Sequence, residues 1–287
     1  MSKNFFQISD LSKEDVNNIL NNEITLKKLL GKNIGLLFEK YSTRTRLSFS
    51  VGIHNMGGNC IDLRFSELNI ARQESFEDTF RAFNCYLDGI IYRTTDHQKL
   101  VMAAQYFDKP IINALSDISH PCQILSDLLT LKEQFNNLDI KILWMGDMNN
   151  VTYSLVEAAN LIDELSLIIC TPAQISTQID WKMNSNIEVV SNLESVDLGK
   201  INCVMTDVFI SMNDKDSEEK ISLLKPYSVT SELMAKTASD SIFMHCLPAR
   251  VGLEVSEEVF HSSKSIVWRQ AYNRKVAQQK LLQFIYQ

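Results

Sequence analysis

Short apolar runs alternate with amphipathic stretches along nearly the whole chain. The runs at 34–38, 60–63, 89–92, 110–114, 141–145, 165–170, 187–190, 203–206, 241–245 and 265–268 read as buried strands. Between them, apolar residues recurring at three- and four-residue steps predict helices over 45–56, 75–87, 121–135, 151–162 and 270–285. Strand alternating with helix implies parallel sheets covered on both faces. The array is too long for one ordinary sheet, and the polar stretch Lys132-Glu-Gln-Phe-Asn-Asn-Leu-Asp139 is the natural break. The expected fold is therefore α/β, with two doubly wound parallel-sheet domains, 1–135 and 136–269, and a C-terminal helix, 270–287, packing back on the first. Ligands of such sheets sit beyond the carboxyl ends of the strands, so polar residues directly after each strand are the place to look for chemistry.

Composition narrows the chemistry. Nine glycines in 287 residues is roughly 3%, less than half of average usage. Neither glycine-rich phosphate cradle, G-x-G-x-x-G or G-x-x-x-x-G-K-[ST], occurs, so any phosphate must be held by side chains and helix ends. The charge of −7 and an apolar content of 45% exclude a disordered chain and a general nucleic-acid binder. No apolar run approaches the roughly 18 residues of a membrane span, and the start lacks the blocks of a signal peptide, so a cytoplasmic location away from membranes is expected. Six dispersed cysteines without a C-x-x-C pair suit reduced thiols and argue against a zinc cluster.

Only nine of the 28 basic residues are arginine, and six of those fall between 44 and 93. Guanidinium is the usual choice for gripping phosphate or carboxylate oxygens. After the run ending at Phe38 comes Glu-Lys-Tyr-Ser-Thr-Arg-Thr-Arg, 39–46, leading into a helix for which Ser42 or Thr43 is the expected N-cap. Free N–H groups, hydroxyls and guanidinium converge there as an oxyanion site built without glycine. The competing reading is a well-capped helix with solvated arginines. Further polar residues at strand ends are Arg93-Thr94, His120-Pro121-Cys122-Gln123, Asp147-Met-Asn-Asn150, Asp207-Val-Phe-Ile-Ser211-Met212 and His245-Cys246-Leu247-Pro248. A His245–Cys246 hydrolase dyad is not expected, because neighbours on a strand point to opposite faces.

STRTR at 42–46, Tyr92-Arg93, HPCQ at 120–123, DMNN at 147–150, DVFISM at 207–212 and HCLP at 245–248 occur in the order and spacing of the aspartate/ornithine carbamoyltransferase family. The set most resembles its ornithine branch, since the aspartate branch typically carries HPLP. The resemblance covers essentially the whole chain and implies transfer of the carbamoyl group of carbamoyl phosphate to the δ-amine of ornithine, giving citrulline and phosphate. By that resemblance Ser42, Thr43, Arg44 and Thr45 hold the phosphate, with Arg93, His120, Gln123 and Arg274 completing the carbamoyl phosphate site. Asn150, Asp207, Ser211, Met212, Cys246 and Leu247 form the ornithine site, and Arg93, His120, Asp207 and Cys246 are the expected catalytic residues. The resemblance implies no metal and no cofactor. It also implies closure of the two domains on their substrates, and a homotrimer with shared active sites, for which Asn69 and Arg72 are candidates to act in trans.

Two departures from that pattern bear on the acceptor. Asn213 stands where the ornithine branch usually has glycine, and Arg269-Gln-Ala-Tyr272 replaces an acidic DxAE-like pattern before Arg274, so a salt bridge supporting Arg274 is expected to be lost or replaced. A sister enzyme using putrescine or an N-acylated ornithine, and a ligand-binding paralogue without activity, are the alternatives.

Overall fold

The computed structural model describes residues 4–211 and 217–287. It separates into two compact units, one of residues 1–129 with 273–287 and the other of residues 130–272. In the first unit, β1 (Asn33–Phe38), β2 (Asn59–Arg64), β3 (Gly89–Arg93) and β4 (Ile111–Leu115) form a parallel sheet in the order β2-β1-β3-β4. In the second, β5 (Ile140–Met145), β6 (Leu165–Cys170), β7 (Ile187–Val190), β8 (Cys203–Thr206) and β9 (Ile242–His245) form a parallel sheet in the order β7-β6-β5-β8-β9. Both are α/β layers of the expected kind. Central strands such as β3 and β8 are buried along their whole length, as a parallel strand covered on both faces requires.

The helices that matter to the strand ends are α1 (Lys13–Asn21), α2 (Thr43–Asn55), α3 (Phe76–Tyr86), α4 (Gln98–Tyr106), α5 (Pro121–Phe135) and α6 (Asn150–Leu161), with a last helix, Val267–Ile285. That last helix begins in the second unit, where Val267 belongs to the core, and ends in the first. There it buries Ala277, Leu281, Leu282 and Phe284. Gln279 Nε2 donates to Gly52 O at 3.3 Å, and Tyr286 Oη donates to Asp88 O at 2.9 Å, so it packs back on the first sheet's layer.

One expected strand is absent. The apolar run 265–268 makes only an isolated bridge, Phe243 with Ser265, and the last helix already starts at Val267. Four apolar residues suit a strand and a buried helix start equally; here Val267 packs into the core as the first turn of that helix.

The loops that follow the strands are locally determined. Gly146, after β5, adopts φ +115°, and a Cβ there would stand 3.0 Å from the Phe209 ring. Only glycine turns the chain at that point. Pro121 opens α5, where its missing N–H costs nothing and its fixed φ suits the helix.

Candidate active site

In the first unit the strand ends gather an anion-binding constellation. Ser42 holds the N-cap position of α2 in extended conformation, yet its hydroxyl takes no hydrogen bond from the helix. Ser42 is thus the N-cap by position, as expected, and the competing reading of a self-capped helix fails, since the Ser42 hydroxyl takes no bond from the first N–H groups of α2. Thr43 is exposed and Arg44 half-buried, and Arg44 forms no ion pair among the described residues. Arg46, the other arginine of the motif, pairs with Asp62 and lies over the Phe38 ring, 4.5 Å from its centroid. The two arginines thus divide into one braced against the protein and one with no ion pair among the described residues.

Two buried guanidiniums join from elsewhere. Arg93, at the end of β3, lies 3.4 Å from Ser42 Oγ and 3.5 Å from Thr45 Oγ1 through its Nη1. Arg274, on the last helix, donates to Gln123 Oε1 at 2.6 Å, to Thr45 Oγ1 at 2.8 Å and to His120 Nε2 at 2.8 Å. Arginine has no acceptor, so His120 Nε2 must offer its lone pair and the ring proton sits on Nδ1. Burial, then the charges of Arg274 and Arg93, holds the His120 imidazole well below its usual range, so it stays neutral at pH 7. Two positive groups and a helix N-terminus around the Thr45 hydroxyl form a locus whose complement is an anion.

Two residues that the sequence reading did not select support this constellation. Asp127, fully buried one helical turn after Gln123, accepts from Gln123 Nε2 at 2.8 Å and so turns the Gln123 carbonyl toward Arg274. Glu39, the first residue after β1, accepts from Tyr92 Oη at 2.7 Å, Thr94 Oγ1 at 3.1 Å and Lys99 Nζ at 3.0 Å. It ties the start of the Ser42 loop to the end of β3, beside Arg93. The signals were the Gln-x-x-x-Asp spacing on α5 and the carboxylate adjoining a strand end.

In the second unit a different set converges at the ends of β5, β8 and β9. Asp207 is buried, and both its oxygens are engaged: Oδ1 by the Cys246 thiol at 2.9 Å and Oδ2 by Asn149 Nδ2 at 2.9 Å. Asn149 caps α6, and Asn150 follows as the first residue of that helix, half-buried. Ser211 is half-buried and Leu247 buried with φ +59°. Met212 and Asn213 lie outside the described residues. Asp147 O accepts from Trp144 Nε1 and Thr152 Oγ1, and Asp147 Oδ2 pairs with Lys220 at 2.8 Å.

His245 and Cys246 need a correction. Cys246 lies just beyond the end of β9, so strand alternation does not separate the two side chains. One polar atom from each of Asp207, His245 and Cys246 falls within 4.8 Å of the others. They still do not form a hydrolase dyad. The thiol donates to Asp207, while His245 Nδ1 accepts from Leu247 N at 2.9 Å and Nε2 faces buried Glu254 at 3.4 Å. Donor atoms of this kind suit a soft divalent cation, but each already faces a protein group.

The other sequence candidates are more scattered. Asn69 and Arg72 are exposed in a short 3-10 turn. Tyr272 is exposed under the Arg269 guanidinium, which pairs with Glu133, while Gln270 Oε1 accepts from His245 N at 2.9 Å. Among the bonds of Arg274 just described, neutral acceptors stand where an acidic partner was expected to be missing.

Residues 3–133 match the family model described as aspartate/ornithine carbamoyltransferase, carbamoyl-P binding domain, and residues 138–285 match the Asp/Orn binding domain of the same family. The chain is 40% identical to the ornithine carbamoyltransferase of Methanosphaera stadtmanae over 99% of both chains. It is 36% identical to that of Rhizobium johnstonii, over 98% of this chain and 97% of the relative. Among solved structures, the anabolic ornithine carbamoyltransferase of Campylobacter jejuni superposes with a TM-score of 0.89 at 30% identity, over 99% of both chains. That of Thermus thermophilus superposes at 0.88 and 29%, over the whole of both.

Proposed function

The chain belongs to the aspartate/ornithine carbamoyltransferase family, and from that premise we infer that it transfers the carbamoyl group of carbamoyl phosphate to the δ-amine of L-ornithine, giving L-citrulline and phosphate. The observation that carries the reading is the Asp207–Cys246 pair, one residue from each of the DVFISM and HCLP motifs, in a chain that also has a glycine-free anion site at the start of α2.

The first unit's constellation fits carbamoyl phosphate. The α2 N-terminus with Ser42, Thr43, Arg44 and Thr45 takes the phosphate, and Arg93, His120, Gln123 and Arg274 surround the carbonyl and the bridging oxygen. Negative charge grows on the carbonyl oxygen as the amine attacks, and on phosphate as it leaves. Donors already fixed by burial and by Asp127 stabilise that charge without reorganising. His120 is neutral and its Nε2 lone pair accepts from Arg274, so the ring aims that guanidinium and is not a proton source.

The second unit's constellation fits ornithine. An ordinary side-chain amine has a pKa of about 10.4, so only about one in a few thousand is neutral at pH 7. A thiol that donates to Asp207 leaves its sulfur lone pairs to accept an N–H of the incoming amine, which orients the nitrogen's own lone pair for attack once the amine is neutral. Asp207 supplies charge for the α-ammonium, with Asn150, Ser211, Met212 and Leu247 as the remaining contacts. Departing phosphate is the proton acceptor at the end of the step.

A homotrimer is part of this reading. Leu47 and Val51, one turn apart on α2, and Ile61 on edge strand β2 expose apolar surface, as a self-association face would. The cytoplasm is the expected compartment, on the strength of six free thiols.

The test is a carbamoylation assay with carbamoyl phosphate and a panel of ornithine, putrescine, N-acetylornithine and aspartate. Citrulline from ornithine, with equimolar phosphate release, is expected. Turnover with aspartate alone, or with none of the four, overturns the reading.

A further inference from the structure

We propose that Asn149 is a positioning residue that aims the Asp207 carboxylate at the acceptor. This inference rests on the ornithine reading and deepens it. The Asn149 side chain is held in one orientation by the helix it caps: Oδ1 accepts from Val151 N at 2.9 Å and from Thr152 N at 3.2 Å. Its own backbone N–H donates to Thr152 Oγ1 at 3.3 Å, closing the box. A flipped amide would set its NH2 against two N–H donors and its oxygen against a carboxylate. The cap therefore dictates that Nδ2 donates to Asp207 Oδ2, at 2.9 Å.

From the other side the Cys246 thiol donates to Asp207 Oδ1, also at 2.9 Å. One lone pair on each oxygen is thereby engaged, and the one remaining on each is left for the acceptor. Asn149 and Asn150, adjacent in sequence, divide the work: Asn150 is the substrate contact, and Asn149 turns a helix cap into a clamp on the group that reads the α-ammonium. The clamp also sets where the Cys246 sulfur sits, because thiol and amide grip the same carboxylate.

Capping chemistry supplies a clean test, since Asn, Asp and Ser cap helices about equally well. Asn149→Ser keeps the cap and removes the donor; Asn149→Asp keeps the cap and sets a second carboxylate against Asp207. The expected result is a KM for ornithine about tenfold higher for Asn149→Ser and higher still for Asn149→Asp, the order set by loss and then reversal of a charge-assisted bond. The KM for carbamoyl phosphate should stay at its wild-type value in both, while Tm falls modestly for Asn149→Ser and further for Asn149→Asp as the buried Asp207 carboxylate loses and then repels its partner. Equal ornithine KM in all three proteins reduces Asn149 to a cap and overturns the proposal, as does a parallel loss of Tm and of both KM values. Wild-type protein that leaves ornithine uncarbamoylated overturns the functional reading itself, an outcome visible before any variant is made.

Discussion

Arg44 and Arg46 are two residues apart and have opposite fates: Arg46 is spent on Asp62 and Phe38, whereas Arg44 has no ion pair among the described residues. Arg44→Ala should therefore lower kcat by about 10²–10³-fold, the cost of losing one oxyanion donor, with Tm nearly unchanged. A fall in Tm with modest loss of rate would make Arg44 structural. His120 carries a prediction of the opposite kind. Its pKa lies below the unfolded value of about 6.5, so above that pH both states are neutral and nothing is lost. As pH falls below about 6.5 the unfolded chain takes up a proton that the folded one refuses, and stability declines until the folded pKa is passed. His97, also lowered by burial, adds to the slope. Thermal unfolding from pH 7.5 to 5 should show Tm falling, and His120→Gln should flatten that fall; an unchanged slope would contradict a buried neutral imidazole. The residues proposed to touch a ligand were legible because their motifs are local. Those that support them were not: Glu39 bonds Tyr92 across 53 positions and Asn149 bonds Asp207 across 58, distances that only the fold closes.

Strand ends carried most of the information at the level of elements. The strands from β1 to β9 and the helices α2, α3, α5 and α6 fall within one or two residues of their periodic patterns, because parallel strands buried on both faces are continuous apolar runs. The misreadings both lie where an element stops. Residues 265–268 are apolar but lead into a helix, and the alternation argued for His245 and Cys246 runs one residue past the end of β9. Turns matter as much as strands. Gly146→Ala would place a methyl group 3.0 Å from Phe209 at φ +115°. That should cost about 1–3 kcal/mol and shift the β5–α6 connection that bears Asp147 and Asn149. A lowered Tm together with a raised KM for ornithine is the expected pair of readings, and a wild-type Tm would show that the turn relaxes freely. On α5, Asp127→Ala leaves the Gln123 amide free to turn, so the KM for carbamoyl phosphate should rise about tenfold while that for ornithine holds; equal changes in both would deny Asp127 its specific part.

For the molecule as a whole, the division of labour predicts independent ligand responses. Carbamoyl phosphate at 100 times its Kd should stabilise the protein by about 2.7 kcal/mol, seen as a rise in Tm. Asp207→Asn, in the other unit, should keep that rise, and losing it would mean that the anion site does not stand on the first unit's residues alone. The last helix adds a consequence in the order of synthesis. Residues 273–287 complete the core of the first unit and deliver Arg274 to Thr45, Gln123 and His120. The first unit is therefore discontinuous in sequence, and its core is finished only after the whole of 130–272 has been made. Until then the α2 N-terminus, Arg93 and His120 wait without Arg274, and a chain cut before that residue should fail to bind carbamoyl phosphate. An order of folding is thus written into the connectivity: the unit that starts first is completed only after the other has been made.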